Sequence, residues 1–260
     1  MSRGVRKMGW ITRNSDKLER LADRVVSRLA RNLRHPKAGS TAPVAEVPDE
    51  HYYRPVFSPW LGHGDFGAIV ERVSPFSLVS PDRLWTLRSL AKQARSVPGD
   101  FWECGVYKGG TAMLLESIVR CAVDKVLYLF DTFAGMPETD PKRDHHRRGD
   151  FADTSLEAVS GRVGQGPHVH YRPGLIPETF IGLEGQRVAF AHVDVDIFSS
   201  VTECCRFIYP RLSPGGVMVF DDYGFRTCPG ARQAVDAYFS DRPEVPLVLP
   251  TGQAVVFKLP

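Results

Sequence analysis

Strand-length apolar runs alternate with helical runs along residues 81–260, and this alternation constrains the fold more than any other feature of the sequence. Strands are predicted near 100–104, 126–130, 168–172, 187–193, 216–220, 245–248 and 253–258. Helices are predicted near 81–94, 109–121, 155–163, 198–209 and 229–240. Connections of this length favour a parallel sheet with helices on both faces.

The last two predicted strands depart from this pattern because only a short Pro-Thr-Gly connection at 250–252 separates them. A connection so short cannot cross over to a parallel neighbour, so the two strands form an antiparallel hairpin. The sequence therefore predicts an α/β fold with a mostly parallel seven-stranded sheet that ends in a C-terminal antiparallel hairpin.

Charge is distributed unevenly along the chain. Residues 1–40 hold 11 Lys and Arg against 3 Asp and Glu, whereas residues 41–260 hold 22 against 27. The mildly acidic body gives no broad electrostatic reason to bind nucleic acid. Apolar spacing predicts a basic helix over 16–34. Three alternatives stay open for this helix: packing on its own domain or a partner subunit, binding to a membrane surface or nucleic acid, and disorder.

The predicted organisation has three parts: a basic helix and linker over 1–50, an aromatic cap segment and packing helix over 51–98, and a core over 99–260. No run of apolar residues is long enough for a transmembrane helix. The five cysteines have no C-x-x-C spacing, which indicates neither a disulfide framework nor a structural zinc site. We therefore expect a cytoplasmic protein.

A glycine-rich turn follows the first core strand. It runs from Gly105 to Gly110, between the strand that carries Glu103 and a predicted helix. The turn lacks the G-x-G-x-x-G dinucleotide fingerprint, and it lacks the lysine that a triphosphate-binding loop places before Thr111. It is open enough for backbone amides to contact a ligand. Alternatively, its glycines only let the helix pack closely on the strand.

Two carboxylates give this turn a candidate ligand. Glu103 lies in a buried strand, where a carboxylate is costly unless it meets an ammonium group or backbone amides. Asp131 ends the next strand and can accept hydrogen bonds from both hydroxyls of a ribose, although it could instead serve only as a turn residue. Together these features suggest S-adenosylmethionine (SAM), with its amino-acid end at the glycine turn and its ribose at Asp131.

A second acidic cluster follows two later strands. Asp194 and Asp196 end one strand, and Asp221 and Asp222 end the next. Neighbouring parallel strands would bring these carboxylates to the same edge as Gly105, where they would repel one another without a cation. All-oxygen ligands favour Mg²⁺. The alternatives are that Asp196 caps the helix that follows it and that Asp222 only forms a turn.

Several stretches of the chain resemble the metal-dependent O-methyltransferase family of macrolide and aminocoumarin biosynthesis, typified by macrocin O-methyltransferase. The matching stretches lie at 77–83, 103–110, 130–137, 173–179, 192–196 and 220–223. The resemblance implies a class I methyltransferase fold, which is Rossmann-like and carries the terminal hairpin. It also implies transfer of the SAM methyl group to a sugar hydroxyl, often on an antibiotic scaffold. It covers roughly residues 75–258, so it assigns no role to the first 45 residues.

The predicted site residues follow from these motifs and from the resemblance. The predicted SAM contacts are Ser77, Glu103, Gly105, Tyr107, Gly109, Thr111, Asp131 and Asp194. The predicted Mg²⁺ ligands are Asp194, Asp221 and Asp222, and the predicted general base is Asp194, with Asp196 as the alternative. The predicted substrate contacts are His145, His146, Asp196 and Tyr223. The loop that carries the two histidines could instead be only a solvated basic loop.

The sequence thus predicts a SAM- and Mg²⁺-dependent enzyme that methylates a hydroxyl of a deoxysugar or glycosylated natural product and assembles as a homo-oligomer. One alternative is a methyltransferase of the same fold that acts on a catechol or another phenol. The other is a non-catalytic binding protein that uses its basic N-terminal helix. Binding of SAM distinguishes this last alternative from both enzymes.

Overall fold

A computed structural model of the chain describes residues 57–122 and 124–260. The predicted basic helix over 16–34, its linker and the first aromatic residues of the cap segment lie outside the described residues. In the part that the structure describes, no helix has both the length and the apolar character that a membrane span requires.

The described chain alternates strands and helices as predicted, with ends that differ from the expected ones by a few residues. The strands are β1 Asp100–Cys104, β2 Leu127–Asp131, β3 Val169–Pro173, β4 Val188–Val193, β5 Leu212–Phe220, β6 Leu247–Val248 and β7 Ala254–Phe257. The helices are α1 Phe66–Val73, α2 Pro81–Ala94, α3 Gly110–Val119, α4 Leu156–Val163, α5 Phe198–Ile208 and α6 Pro229–Phe239. Helix α1 lies outside the predicted elements.

All seven strands form one sheet in the order β3-β2-β1-β4-β5-β7-β6. Strands β1 to β5 are parallel, and β7 pairs antiparallel with both β5 and β6. The predicted parallel sheet with a terminal hairpin is therefore confirmed. The chain moves outward from β1 to β3 and then returns to place β4 on the other side of β1. The carboxyl ends of β1 and β4 consequently flank a topological switch point, where open α/β sheets bind ligands.

Alternating strand residues divide the core into two layers, one on each face of the sheet. Phe101, Leu129 and Phe190 belong to the layer that contains buried residues of helices α1 to α4. Trp102, Phe130 and other alternate residues belong to the layer with α5 and α6. Because both faces are covered, most residues of the central strands are apolar and buried. Polar side chains that interrupt them, such as Glu103 and His192, therefore need a specific partner.

Gly105 allows the closest approach between the ends of β1 and β4. Its φ is +86°, and a Cβ atom added there would lie 1.7 Å from the carbonyl oxygen of Asp194. The amide of Asp194 also donates to the carbonyl of Cys104 at 2.8 Å. Only glycine fits this contact, because any side chain would meet backbone that the sheet holds in place.

We predict that Gly105→Ala lowers the free energy of unfolding by at least about 4 kcal/mol, since it combines an unfavourable φ with a backbone clash. Gly182→Ala is the matched control, because Gly182 has the same φ of +86° with nothing within 4 Å of an added Cβ. The control should lose only about 1–3 kcal/mol. Equal losses in denaturant unfolding of the two variants would contradict the proposed contact.

Candidate active site

An open cavity of about 290 Å³ lies at the carboxyl ends of the central strands. Its walls come from the glycine turn after β1, the ends of β2, β4 and β5, and the segments before α2 and α5. Apart from Asp194 in the acidic cluster, five predicted cofactor contacts line the cavity: Ser77, Gly105, Tyr107, Thr111 and Asp131. The structure thus brings residues far apart in sequence to the predicted edge of the sheet.

Asp131 holds the glycine turn in place. Its Oδ2 accepts hydrogen bonds from the amides of Val106 at 2.7 Å and Tyr107 at 2.9 Å. Its Oδ1 accepts from the amide of Phe133 at 2.7 Å, with the hydroxyl of Thr132 at 3.4 Å. Both carboxylate oxygens thus already accept hydrogen bonds from the chain, and a ribose hydroxyl would have to share them with these donors. Asp131 lines the cavity, and its contact with a ribose stays a prediction.

Glu103 does not line the cavity. Its side chain is fully buried, and Oε1 lies 3.0 Å from Nδ1 of His192. The two residues are register partners on β1 and β4, so their side chains lie on the same face of the sheet. This pair gives a partner to Oε1 of the buried carboxylate, whereas Oε2 is buried without a hydrogen-bond partner in the described structure. The expected direct contact between Glu103 and a cofactor is not part of the cavity wall and stays a prediction.

Three other predicted contacts also lie away from the cavity wall. Gly109 is the left-handed N-cap of α3, and an added Cβ would meet Val159 of α4 at 3.0 Å. His145 is exposed outside the cavity. The hydroxyl of Tyr223 donates to Asp236 of α6 at 2.6 Å. Gly109 thus packs closely on α4, His145 is exposed to solvent, and Tyr223 contacts α6. None of the three side chains or backbone positions forms part of the cavity wall.

Asp194, Asp221 and Asp222 converge as expected. Each offers a carboxylate oxygen that lies within 4.8 Å of those of the other two. Asp194 follows β4, and the other two follow β5, which pairs with β4 in parallel register. Asp196 lies beside this triad, since its amide donates to Oδ2 of Asp222 at 2.9 Å. Asp196 does not cap α5, because Asp144 instead accepts from the amide of Phe198 at 2.9 Å.

In the protein without a bound cation, the ionised forms of the carboxylate triad (Asp194, Asp221 and Asp222) are unfavourable at two of its three positions. Burial raises the pKa of Asp194 well above its usual range, and the charge of Asp221 raises it further. Burial likewise raises the pKa of Asp222, with additional contributions from the charges of Asp196 and Asp194. A raised pKa means that the ionised form lacks sufficient compensating charge. This cluster therefore favours either protons or a cation.

Asp221 behaves differently because it has polar partners of its own. It forms an ion pair with Arg83, accepts from Nε2 of Gln253 at 2.8 Å and lies 3.6 Å from Nε2 of His192. Burial raises its pKa, but hydrogen bonding and the charges of His192 and Arg83 outweigh that effect and lower it. Asp221 is thus held ionised at one corner of the triad.

Three further polar residues lie at the site without a predicted role: Arg83, His192 and Gln253. Arg83 lies in the first turn of α2 and lines the cavity. His192 and Gln253 are fully buried beside Asp221. A polar residue inside an otherwise apolar strand was the available signal for His192. Arg83 ends the stretch 77–83 that carries the resemblance but had no predicted role, and no pattern marked Gln253. Both residues reach the site through the tertiary fold.

The donor set of the triad fits a hard divalent cation such as Mg²⁺. All three groups supply oxygen, and carboxylate oxygens keep a second lone pair when they accept one hydrogen bond. Arg83 and His192 lie beside Asp221, and their positive charges do not outweigh burial and the charge of Asp221 at Asp194. Asp194 and Asp222 are left with uncompensated negative charge, which a divalent ion would neutralise. The residues present therefore fit the ion that the sequence predicts.

A model of the family described as macrocin-O-methyltransferase (TylF) matches residues 72–248. The match includes the glycine turn, Asp131 and the carboxylate triad. It begins after the basic N-terminal segment, so the alternative of a binding protein built around that segment gains no support. The match extends across most of the described chain and supports an enzyme.

Two curated relatives are O-methyltransferases. The 8-demethyl-8-(2,3-dimethoxy-alpha-L-rhamnosyl)-tetracenomycin-C 4'-O-methyltransferase of Streptomyces olivaceus is 31% identical over 158 residues, which cover 56% of this chain and 59% of the relative. The demethyldecarbamoylnovobiocin O-methyltransferase of Streptomyces niveus is 28% identical over 177 residues, 62% of this chain and 67% of the relative. The matched stretch thus spans less than two thirds of the first relative's length.

Solved structures show the same fold. The O-methyltransferase NovP superposes with a TM-score of 0.64 at 24% identity, over 71% of this chain and 83% of that chain. The calicheamicin methyltransferase CalS11 superposes with a TM-score of 0.59 at 18% identity, over 85% of this chain and 99% of that chain. Together with the family match over residues 72–248, these observations show that the chain belongs to the macrocin-O-methyltransferase (TylF) family.

Proposed function

We propose that this protein is a SAM- and Mg²⁺-dependent O-methyltransferase that acts on a sugar hydroxyl of a glycosylated small molecule. The observation that carries this proposal is that the glycine turn and the carboxylate triad face one cavity. The name of one relative supports a sugar-bearing acceptor, since that relative acts on a rhamnosyl-tetracenomycin. Homo-oligomeric assembly and a cytoplasmic location remain predictions.

The cofactor side of the proposed site is the turn that Asp131 holds. Gly105, Tyr107 and Thr111 line the cavity there, and Ser77 faces them from the segment before α2. Tyr107 is itself fixed, because its hydroxyl donates to Asp153 at 2.9 Å. A turn anchored at both backbone and side chain can bind a cofactor without much further ordering, which favours alignment for methyl transfer.

The acceptor side is the carboxylate triad and its surroundings. When bound, Mg²⁺ lowers the pKa of an acceptor hydroxyl, and SAM supplies the methyl group. Asp221 is held by Arg83 and Gln253, so it fixes the position of the cation site. Asp194 is part-buried beside it and serves as the proposed general base that takes the hydroxyl proton. His146 and Asp196 line the same cavity and are the proposed contacts for the rest of the acceptor.

We predict that the purified protein methylates a glycoside with a free deoxysugar hydroxyl when SAM and Mg²⁺ are present, and that EDTA abolishes this activity reversibly. Asp222→Asn should lower kcat/KM at least about a hundredfold, because the cation stabilises developing charge by several kcal/mol. Asp241→Asn, at an exposed position, is the matched control and should retain activity. Product masses from mass spectrometry provide the measurement.

Full activity in EDTA would show that methyl transfer does not require the cation. Turnover of a catechol together with inertness toward glycosides would favour the alternative acceptor class. Absence of SAM binding in calorimetry would contradict the proposed function altogether. The acceptor panel should therefore include glycosides and catechols at matched concentrations.

The pKa shifts predict how pH and metal change stability. A carboxyl group with a raised pKa in the folded chain favours folding below the usual value of 3.8, and this contribution is lost as pH rises toward the raised value. In EDTA at about pH 8, we expect Asp222→Asn to be more stable than the unmodified protein by about 1 kcal/mol, because it removes a repelling charge. The difference should shrink toward about pH 5.

Mg²⁺ should reverse this order at about pH 8 by stabilising only the protein with an intact triad. Asp241→Asn should follow the unmodified protein in every condition. Denaturant unfolding with and without Mg²⁺ measures both effects. A less stable Asp222→Asn variant in EDTA at about pH 8 would show that the buried charges do not repel as the structure indicates.

A further inference from the structure

Three side chains of different chemistry meet beside the triad: His146, Asp196 and Cys228. Nε2 of His146 lies 3.6 Å from Oδ1 of Asp196, and Sγ of Cys228 lies 3.3 Å from the same oxygen. One ligand atom from each of the three residues lies within 4.8 Å of the others. His146 is part-buried, and Cys228 is 2% exposed at the N-cap of α6. The group lines the cavity but is not part of the all-oxygen triad.

The separations match those of a tetrahedral metal site. Zinc binds thiolate sulfur at about 2.3 Å and imidazole nitrogen or carboxylate oxygen at about 2.0 Å, so tetrahedral ligand atoms lie roughly 3.3–3.5 Å apart. The two measured separations, 3.6 and 3.3 Å, are close to these values. An ion could therefore enter with little movement of the three side chains.

Asp150 orients the imidazole for this purpose. Its Oδ2 lies 3.2 Å from Nδ1 of His146, and the same oxygen accepts from the amide of Arg147 at 2.9 Å. Histidines that bind metals commonly donate their second ring nitrogen to a carboxylate in this way. When Nδ1 of His146 donates to Asp150, Nε2 lies toward Asp196 and is available to ligate a cation between the two side chains.

We propose that His146, Asp196 and Cys228 form a second metal site, which takes a borderline divalent ion such as Zn²⁺ or Co²⁺. A nitrogen, oxygen and sulfur donor set suits these ions and not Mg²⁺, which prefers oxygen alone. Binding releases the thiol proton of Cys228 to solvent, since sulfur ligates as the thiolate. Three protein ligands leave a fourth position open to water.

An ion in this site would affect the proposed methyl transfer. His146 and Asp196 line the cavity as proposed acceptor contacts, so an ion that binds both withdraws them from the acceptor. Zn²⁺ should therefore inhibit turnover even when excess Mg²⁺ fills the triad. The binding itself does not depend on the proposed function, because it requires neither SAM nor an acceptor.

Cobalt provides the direct test. The full chain is stripped with a chelator, supplied with excess Mg²⁺ and titrated with Co²⁺ under reducing conditions. We expect a near-ultraviolet thiolate-to-cobalt charge-transfer band that saturates at one Co²⁺ per chain and disappears when Zn²⁺ is added. Cys228→Ser should lack the band, whereas Cys121→Ser should keep it because Cys121 is exposed outside the cavity. Absence of the band in the unmodified protein would overturn the proposal.

Two further variants keep the test decisive if Cys228→Ser does not fold. Asp150→Asn should weaken Co²⁺ binding about 10–100-fold and leave the band intact, as expected for a carboxylate that orients a ligand. His146→Gln should weaken binding at least as much. A band that persists in Cys228→Ser, or unchanged affinity in His146→Gln, would contradict the site. In the methyl-transfer assay, equal Zn²⁺ inhibition of the unmodified protein and His146→Gln would contradict the inhibitory effect.

Discussion

The pairing of β1 with β4 is the constraint on which the candidate site depends. It places the Gly105 turn against the backbone of Asp194, where only a glycine fits. It also aligns Glu103 with His192, so that Oε1 of the buried carboxylate meets an imidazole. The parallel pairing of β5 with β4 then brings Asp221 and Asp222 to the same edge of the sheet. A shift of one residue between these strands would separate the glycine turn from the acidic cluster.

The protein's own groups compensate the negative charges at this edge of the sheet unevenly, and this indicates a site for a cation. Asp221 has Arg83, Gln253 and His192 nearby, and its pKa is lowered. Asp194 and Asp222 have raised pKa values, caused first by burial and then by neighbouring carboxylates. A fold selected only for stability would pair or remove such groups. Their presence at one edge of the sheet fits a site that gains stability when a cation binds.

The sequence predicts the elements and their order well because apolar periodicity and short connections are local properties. The terminal hairpin follows from one short turn, and the carboxylates follow from their positions at strand ends. A buried acid such as Glu103 needs a partner, and the imidazole that meets its Oε1 lies on another strand, where no local pattern of the sequence could show it. Cys228 was likewise not marked as a ligand, since no spacing relates positions 146, 196 and 228. Arg83 and Gln253 are recognisable only once α2 and β7 are packed around β5.

The central claim is that Asp194, Asp221 and Asp222 hold a divalent cation beside the cofactor turn. Anomalous diffraction from crystals grown with Mn²⁺ and S-adenosylhomocysteine tests it most directly, since Mn²⁺ prefers the same oxygen ligands as Mg²⁺. The account predicts a manganese peak about 2.2 Å from carboxylate oxygens of all three residues. No peak between these side chains at saturating Mn²⁺, with the thioether ligand clearly bound at the Gly105 turn, would contradict it.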